Sequence, residues 1–178
     1  MRRVCYGFVT NDKCGRSCEE LRHYTFTKAP LIRHINKAPL PAMKPRILVV
    51  DDDAEFTQLI EFNLVRQGCE MRIAHQGMEG LRLARTELPD LILLDLMLPD
   101  LGGLSVCEIL QNQPSTRDIP VFILSALDQK WAETRSTKAR FARFFRKPVD
   151  LKLLGETVIS TCEQHQAQIH ARMAQQAD

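Results

Sequence analysis

Two apolar patterns alternate along most of this chain. Short unbroken runs read as strands buried on both faces: Ile47, Leu48, Val49 and Val50; Leu91, Ile92, Leu93 and Leu94; and Val121, Phe122, Ile123 and Leu124 after Pro120. Residues 70–74 (Glu70, Met71, Arg72, Ile73, Ala74) alternate polar and apolar, as an edge strand does. A fifth strand is predicted over 141–145, just before Arg146, Lys147 and Pro148. Between the strands, apolar residues recur at helical spacing. Phe56, Leu59, Ile60 and Leu64 make one stripe, with Asp53 as the predicted N-cap and Gly68 as the stop. Leu81, Ala84 and Leu88 make the second, over 77–87, and Leu104, Cys107 and Leu110 the third, closed by Pro114. The fourth helix, over 128–138, is unusually polar, with Leu127 and Trp131 as its few apolar contacts. Asp150 is the predicted cap of a last helix whose inner stripe is Leu151, Leu154, Val158 and Cys162.

Five strand–helix units in succession predict a parallel sheet, because crossovers of this length join parallel neighbours. The fold class is therefore α/β, a doubly wound five-stranded parallel sheet with helices on both faces. Residues 44–163 account for this domain. Residues 164–178, rich in Gln and Ala, are expected to be a polar C-terminal helical tail. Residues 1–43 lack periodicity, and Pro30, Pro39, Pro41 and Pro45 punctuate their end, which predicts a poorly ordered extension. Met43 stands just before the first strand as a start residue would, so residues 1–42 are a candidate over-extension of the reading frame. Intact mass of the native protein tests that expectation.

Charge changes this picture only in part. Residues 1–43 hold eight Lys/Arg against three Asp/Glu, whereas 44–178 hold 16 basic and 19 acidic residues. The mildly acidic body carries no signature of nucleic-acid binding. No apolar run approaches the ~18 residues that span a bilayer, and Arg2-Arg3 is not followed by a signal-peptide core, so membrane insertion and secretion are not expected. The six cysteines are scattered; Cys69, Cys107 and Cys162 fall within regular elements and read as reduced thiols of a cytoplasmic protein. Cys5, Cys14, Cys18 and His23 match no common zinc spacing.

Candidate chemistry comes from the strand ends. Four of the five strands finish on polar or ionisable residues: Asp51-Asp52, Asp95, Ser125 and Lys147. In a parallel sheet these ends share one edge. Any one of them has an ordinary structural explanation, as a cap, a turn residue or a solvated lysine; their conjunction does not. Two carboxylates ~4 Å apart repel by roughly 4 kcal/mol at an effective dielectric near 20, and a hard cation relieves that cost. Oxygen-only donors favour Mg²⁺, and the absence of His or Cys at these tips disfavours zinc. Carboxylate, cation, hydroxyl and ammonium are together the parts of a phosphoryl-transfer site.

The segments ILVVDDD at 47–53, DLILLDLMLPDLGGL at 90–104, IPVFILSA at 119–126 and RKPVD at 146–150 resemble those of response-regulator receiver domains of two-component phosphorelay signalling. The resemblance covers about residues 44–163. It implies a flavodoxin-like strand order 2-1-3-4-5 and phosphorylation of Asp95 by a histidine kinase or a phosphotransfer protein. It implies Mg²⁺ held by Asp52, Asp95 and the Met97 carbonyl, with Asp51 acting mainly through water. Ser125 and Lys147 would hold the phosphoryl group, the Lys147-Pro148 bond would be cis, and Phe144 would occupy the aromatic switch position. The family's usual Gly-Ala pair before the fifth strand is replaced by Arg140-Phe141, and Gly102 stands where a polar residue is frequent.

The expected function is that of a stand-alone receiver, a signalling phosphoacceptor rather than an enzyme. It would signal by a conformational change at the face of helix 4, strand 5 and helix 5. Met97 and Leu127, both apolar, predict a long-lived phosphoryl-aspartate. The alternatives are a phosphate shuttle or sink within a phosphorelay, which the polar fourth helix favours, and an interaction module independent of phosphorylation. An aspartyl-phosphatase is disfavoured because Met97 stands where a second carboxylate would be needed.

Overall fold

A computed structural model describes residues 44–135 and 139–175. The extension, with Cys5, Cys14, Cys18 and His23, lies outside the described residues. Within them run β1 (Arg46–Val50), α1 (Ala54–Arg66), β2 (Glu70–Ala74), α2 (Gly77–Glu87), β3 (Leu91–Asp95), α3 (Gly103–Gln111), β4 (Val121–Ser125), α4 (Gln129–Arg135), β5 (Arg143–Arg146) and α5 (Leu151–Gln175). The strands form one parallel sheet in the order β2-β1-β3-β4-β5.

Alternation along each strand divides the core in two. Leu48, Val50, Ile92, Leu94, Val121 and Ile123 face one side, where Leu81 and Ala84 of α2 and Val106, Cys107 and Leu110 of α3 cover them. Ile47, Val49, Leu91, Leu93, Phe122 and Leu124 face the other, under Ile60 and Leu64 of α1 and Leu154, Val158 and Cys162 of α5. All five residues of β3 are buried. Each fully buried Leu or Ile contributes about 1.5–3 kcal/mol relative to exposure, so both faces must be covered.

Several local expectations change. Leu59 is 50% exposed, because the inward stripe of α1 is Ile60, Leu64 and the buried Thr57. Leu88 is exposed and left-handed at φ 47°, because Pro89 disfavours the helical region at the residue before it. Strand β4 begins at Val121 rather than at Pro120, which has no N–H to give the ladder. Strand β5 begins at Arg143, not Phe141; its register starts with Phe122 opposite Arg143, and Ala142 only leads in, donating to the Val121 carbonyl at 2.7 Å. Helix α4 spans seven residues with Ala132 buried, and residues 136–138 lie outside the description.

Candidate functional site

The carboxyl ends of β1, β3, β4 and β5 converge. Asp51 follows the last residue of β1 and is buried. Its amide donates to the Ala74 carbonyl at 3.0 Å, so the β1–β2 pairing carries on into the site. Asp51 Oδ1 accepts from the amide of Asp53 at 3.1 Å, and its carbonyl lies 3.0 Å from His75 Nδ1. Asp53 in turn caps α1, its Oδ1 accepting from the Phe56 amide at 3.0 Å. Three successive acids thus have three jobs: a buried carboxylate, an exposed one at Asp52, and a helix cap.

Asp95 ends β3 and is 6% exposed. Its Oδ1 accepts from the Leu96 amide at 2.7 Å, which fixes the carboxylate plane. Oxygen atoms of Asp51, Asp52 and Asp95 lie within 4.8 Å of one another. The only cation facing them among the described residues is Lys147, 2.7 Å from Asp51 Oδ2 and 3.6 Å from Asp95 Oδ2. Burial pushes the Asp51 carboxyl above its usual 3.8, and the adjacent Asp95 charge adds to this; the Lys147 hydrogen bond and charge and the Asp53 amide pull the other way.

Lys147 reaches the acids from the end of β5, where its amide donates to the Ser125 carbonyl at 2.8 Å. The Lys147-Pro148 peptide bond is cis. Its ammonium lies 4.4 Å from the centre of the Phe56 ring. Phe56, an inward position of α1, thus also supplies an aromatic face to this lysine. Ser125 ends β4 fully buried, its Oγ accepting from the Leu127 amide at 3.2 Å. Phe144 is half-buried in β5, its ring centre 6.0 Å from that of Phe141. Met97 follows Asp95 by two residues and is 59% exposed.

Two contributors were missed in the sequence. Asp100, in the loop after β3, takes the amides of Gly77 and Met78 at 2.7 and 2.9 Å. It caps α2 from across the fold, in place of Gln76, whose side chain makes no cap bond. Gly103 opens α3 so close to β3 that a Cβ there would collide with the Asp95 carbonyl. The pair Gly102-Gly103 after a strand end is a signal that could have revealed the second; nothing local could have revealed the first.

The donor set is oxygen only, two of its three carboxylates are buried, and one ammonium is shared between those two. These features fit Mg²⁺.

The response regulator receiver domain model matches residues 47–159.

The chain belongs to that family. The receiver is 39% identical over 118 residues to the response regulator PleD of Caulobacter vibrioides, covering 66% of this chain and 26% of PleD. It is 39% identical over 108 residues to the DNA-binding dual master transcriptional regulator RpaA of Synechocystis, covering 61% and 45%. The chain thus spans between a quarter and a half of the length of these curated relatives. Among solved structures it resembles the receiver domain of the Francisella response regulator 1452, with a TM-score of 0.62 and 32% identity, covering 68% of this chain and 98% of that one. Receiver domains are signalling phosphoacceptors of two-component systems rather than enzymes in the usual sense. No described helix is long and apolar enough to cross a membrane.

Proposed function

We propose that this receiver accepts a phosphoryl group on Asp95 from the phosphohistidine of a histidine kinase or phosphotransfer protein, with Mg²⁺ held by Asp52, Asp95 and the Met97 carbonyl and by Asp51 mainly through water. The observation that carries the reading is the buried Asp95 carboxylate beside two further acids and a shared lysine. In the transfer, a carboxylate oxygen of Asp95 attacks phosphorus; the O–P bond forms as the P–N bond breaks, and the imidazole leaves with the electron pair. When bound, the cation would neutralise charge on the carboxylates and the phosphoryl oxygens. The Leu96 amide holds Asp95 in place throughout. Lys147 is free to exchange its Asp51 contact for a phosphoryl oxygen, and Ser125 to exchange its Leu127 contact for a donated hydrogen bond.

The output follows from these exchanges. Phosphorylation adds charge and acceptor oxygens at Asp95. Ser125 moves to meet them, and Phe144 turns into the space it leaves. Phe144 has no hydroxyl, so the inward state leaves no polar group unpaired. The face formed by α4, β5 and α5 shifts between two packings, and partners in the cytoplasm read the change through protein contacts.

Incubation with Mg²⁺ and a small phosphodonor, followed by a phosphate-affinity gel, tests the assignment. A retarded band in the wild type and none in Asp95→Asn is the expected result. No band in the wild type, or one that survives the substitution, leaves the phosphorylation-independent interaction module as the surviving reading.

A further inference from the structure

A second polar site lies at the opposite edge of the sheet from Asp95. The end of α3, the approaches to β4 and β5, and the far turns of α5 enclose a cleft of about 850 Å³. Arg117, Arg140, Arg172 and His165 line it, with Asp118 as the one acid among the lining residues. Asp118 pairs with Arg172 at 3.6 Å. The guanidinium groups of Arg117 and Arg140 have no hydrogen-bond or ion-pair partner among the described residues. Nδ1 of His165 is buried and likewise unpartnered.

The rim is fixed in place. Gln111 Oε1 accepts from the Arg140 amide at 2.9 Å, and the Arg140 carbonyl accepts from Gln111 Nε2 and from Cys107 Sγ. This side-chain clamp holds the segment that carries Arg140 and Phe141. The two residues that depart from the usual small pair before the fifth strand are therefore both cleft residues, one charged and one aromatic.

We propose that this cleft binds a phosphorylated small molecule of nucleotide size. Guanidinium forks match phosphate oxygens in charge and shape. Small-ligand pockets occupy roughly 300–1,000 Å³, so this volume is far larger than inorganic phosphate needs. Phe141 offers an aromatic surface for the organic part, and its ring also meets Phe144. Binding would therefore bias the same ring that the phosphoryl group at Asp95 biases. This coupling rests on the switch role proposed for Phe144, whereas the binding itself does not.

Calorimetric titration of the full chain with ADP in EDTA, at fixed ionic strength, tests the site, with adenosine and inorganic phosphate as comparison probes. EDTA removes any divalent ion that could bridge ADP to the aspartates. ADP is expected to bind saturably, adenosine not at all, and phosphate at least tenfold more weakly than ADP. Arg117→Ala combined with Arg140→Ala should weaken ADP at least tenfold, while Asp95→Asn leaves it unchanged. Both arginines are exposed, so their truncation spares the core, and a thermal melt of the double variant verifies this. No saturable ADP binding, or binding indifferent to the double substitution, overturns the site. Phosphate binding as tight as ADP overturns the nucleotide-sized ligand. ADP affinity that changes several-fold on phosphorylation of Asp95 supports the coupling; an unchanged affinity overturns the coupling but not the site.

Discussion

Lys147 carries most of the electrostatic balance at the acidic edge of the sheet. It is the ammonium that Asp51 and Asp95 share, and Asp51 is wholly buried. Removing it leaves a desolvated carboxylate without its charged hydrogen bond, a loss of about 1–3 kcal/mol. Lys147→Met should therefore lower the stability of the metal-free protein by about that much at neutral pH. The loss should shrink in acid, because the Asp51 carboxyl already sits above 3.8 and protonates readily once its partner is gone. Urea unfolding at two pH values measures both effects; an equal loss at each would remove Lys147 from this role. The sequence made this lysine visible as a strand end. It did not show the Phe56 ring beneath it, because a helical stripe tells which face is inward and not what lies across the interface.

Elements meet at two places that chemistry alone would not reveal. Helix α3 packs so close to β3 that only hydrogen fits at Gly103. Gly103→Ala must push the helix away from the Asp95 backbone and should cost about 1–3 kcal/mol, with phosphorylation impaired as well. A thermal melt together with the gel assay reads both; an unaltered melt contradicts the close approach. Asp100 ties the loop after β3 to the start of α2. Its two backbone hydrogen bonds hold its carboxyl below the usual 3.8. A carboxyl with a lowered folded pKa contributes stability that is fully present above 3.8 and lost as pH falls through the lower folded value. Asp100→Asn should thus melt below the wild type at neutral pH, and the two should converge in strong acid. A difference that persists unchanged there would show that charge is not the cause. Cross-fold caps of this kind are illegible in sequence, since Asp100 lies 22 residues from the nearer amide it holds.

For the molecule as a whole, the parallel sheet and its two covered faces were legible because the apolar runs at β1, β3 and β4 are short, unbroken and separated by helical stripes. The start of β5 was not, because Phe141 is apolar yet lines a cleft instead of a strand. The acid set was legible because parallel strands deliver their ends to one edge. Its response to a cation is the test at this scale. A ligand that binds only the folded state at ten times its Kd stabilises that state by about 1.4 kcal/mol. Mg²⁺ should raise the unfolding midpoint accordingly, chelation should reverse it, and Asp52→Asn should blunt it. A midpoint indifferent to Mg²⁺ would count against the site.

The strand order has a consequence for synthesis. Strands β2, β1 and β3 are neighbours in the sheet and all lie before residue 96, so this half can pair while the rest of the chain is still being made. Asp51, Asp52 and Asp95 belong to that early half, Ser125 to β4, and Lys147 follows the last strand. A nascent chain therefore assembles its repelling acids first and receives the neutralising ammonium only when β5 docks at the far edge. The acids and the ammonium of the proposed acceptor site meet only in the completed sheet, so a chain interrupted before residue 143 lacks that arrangement.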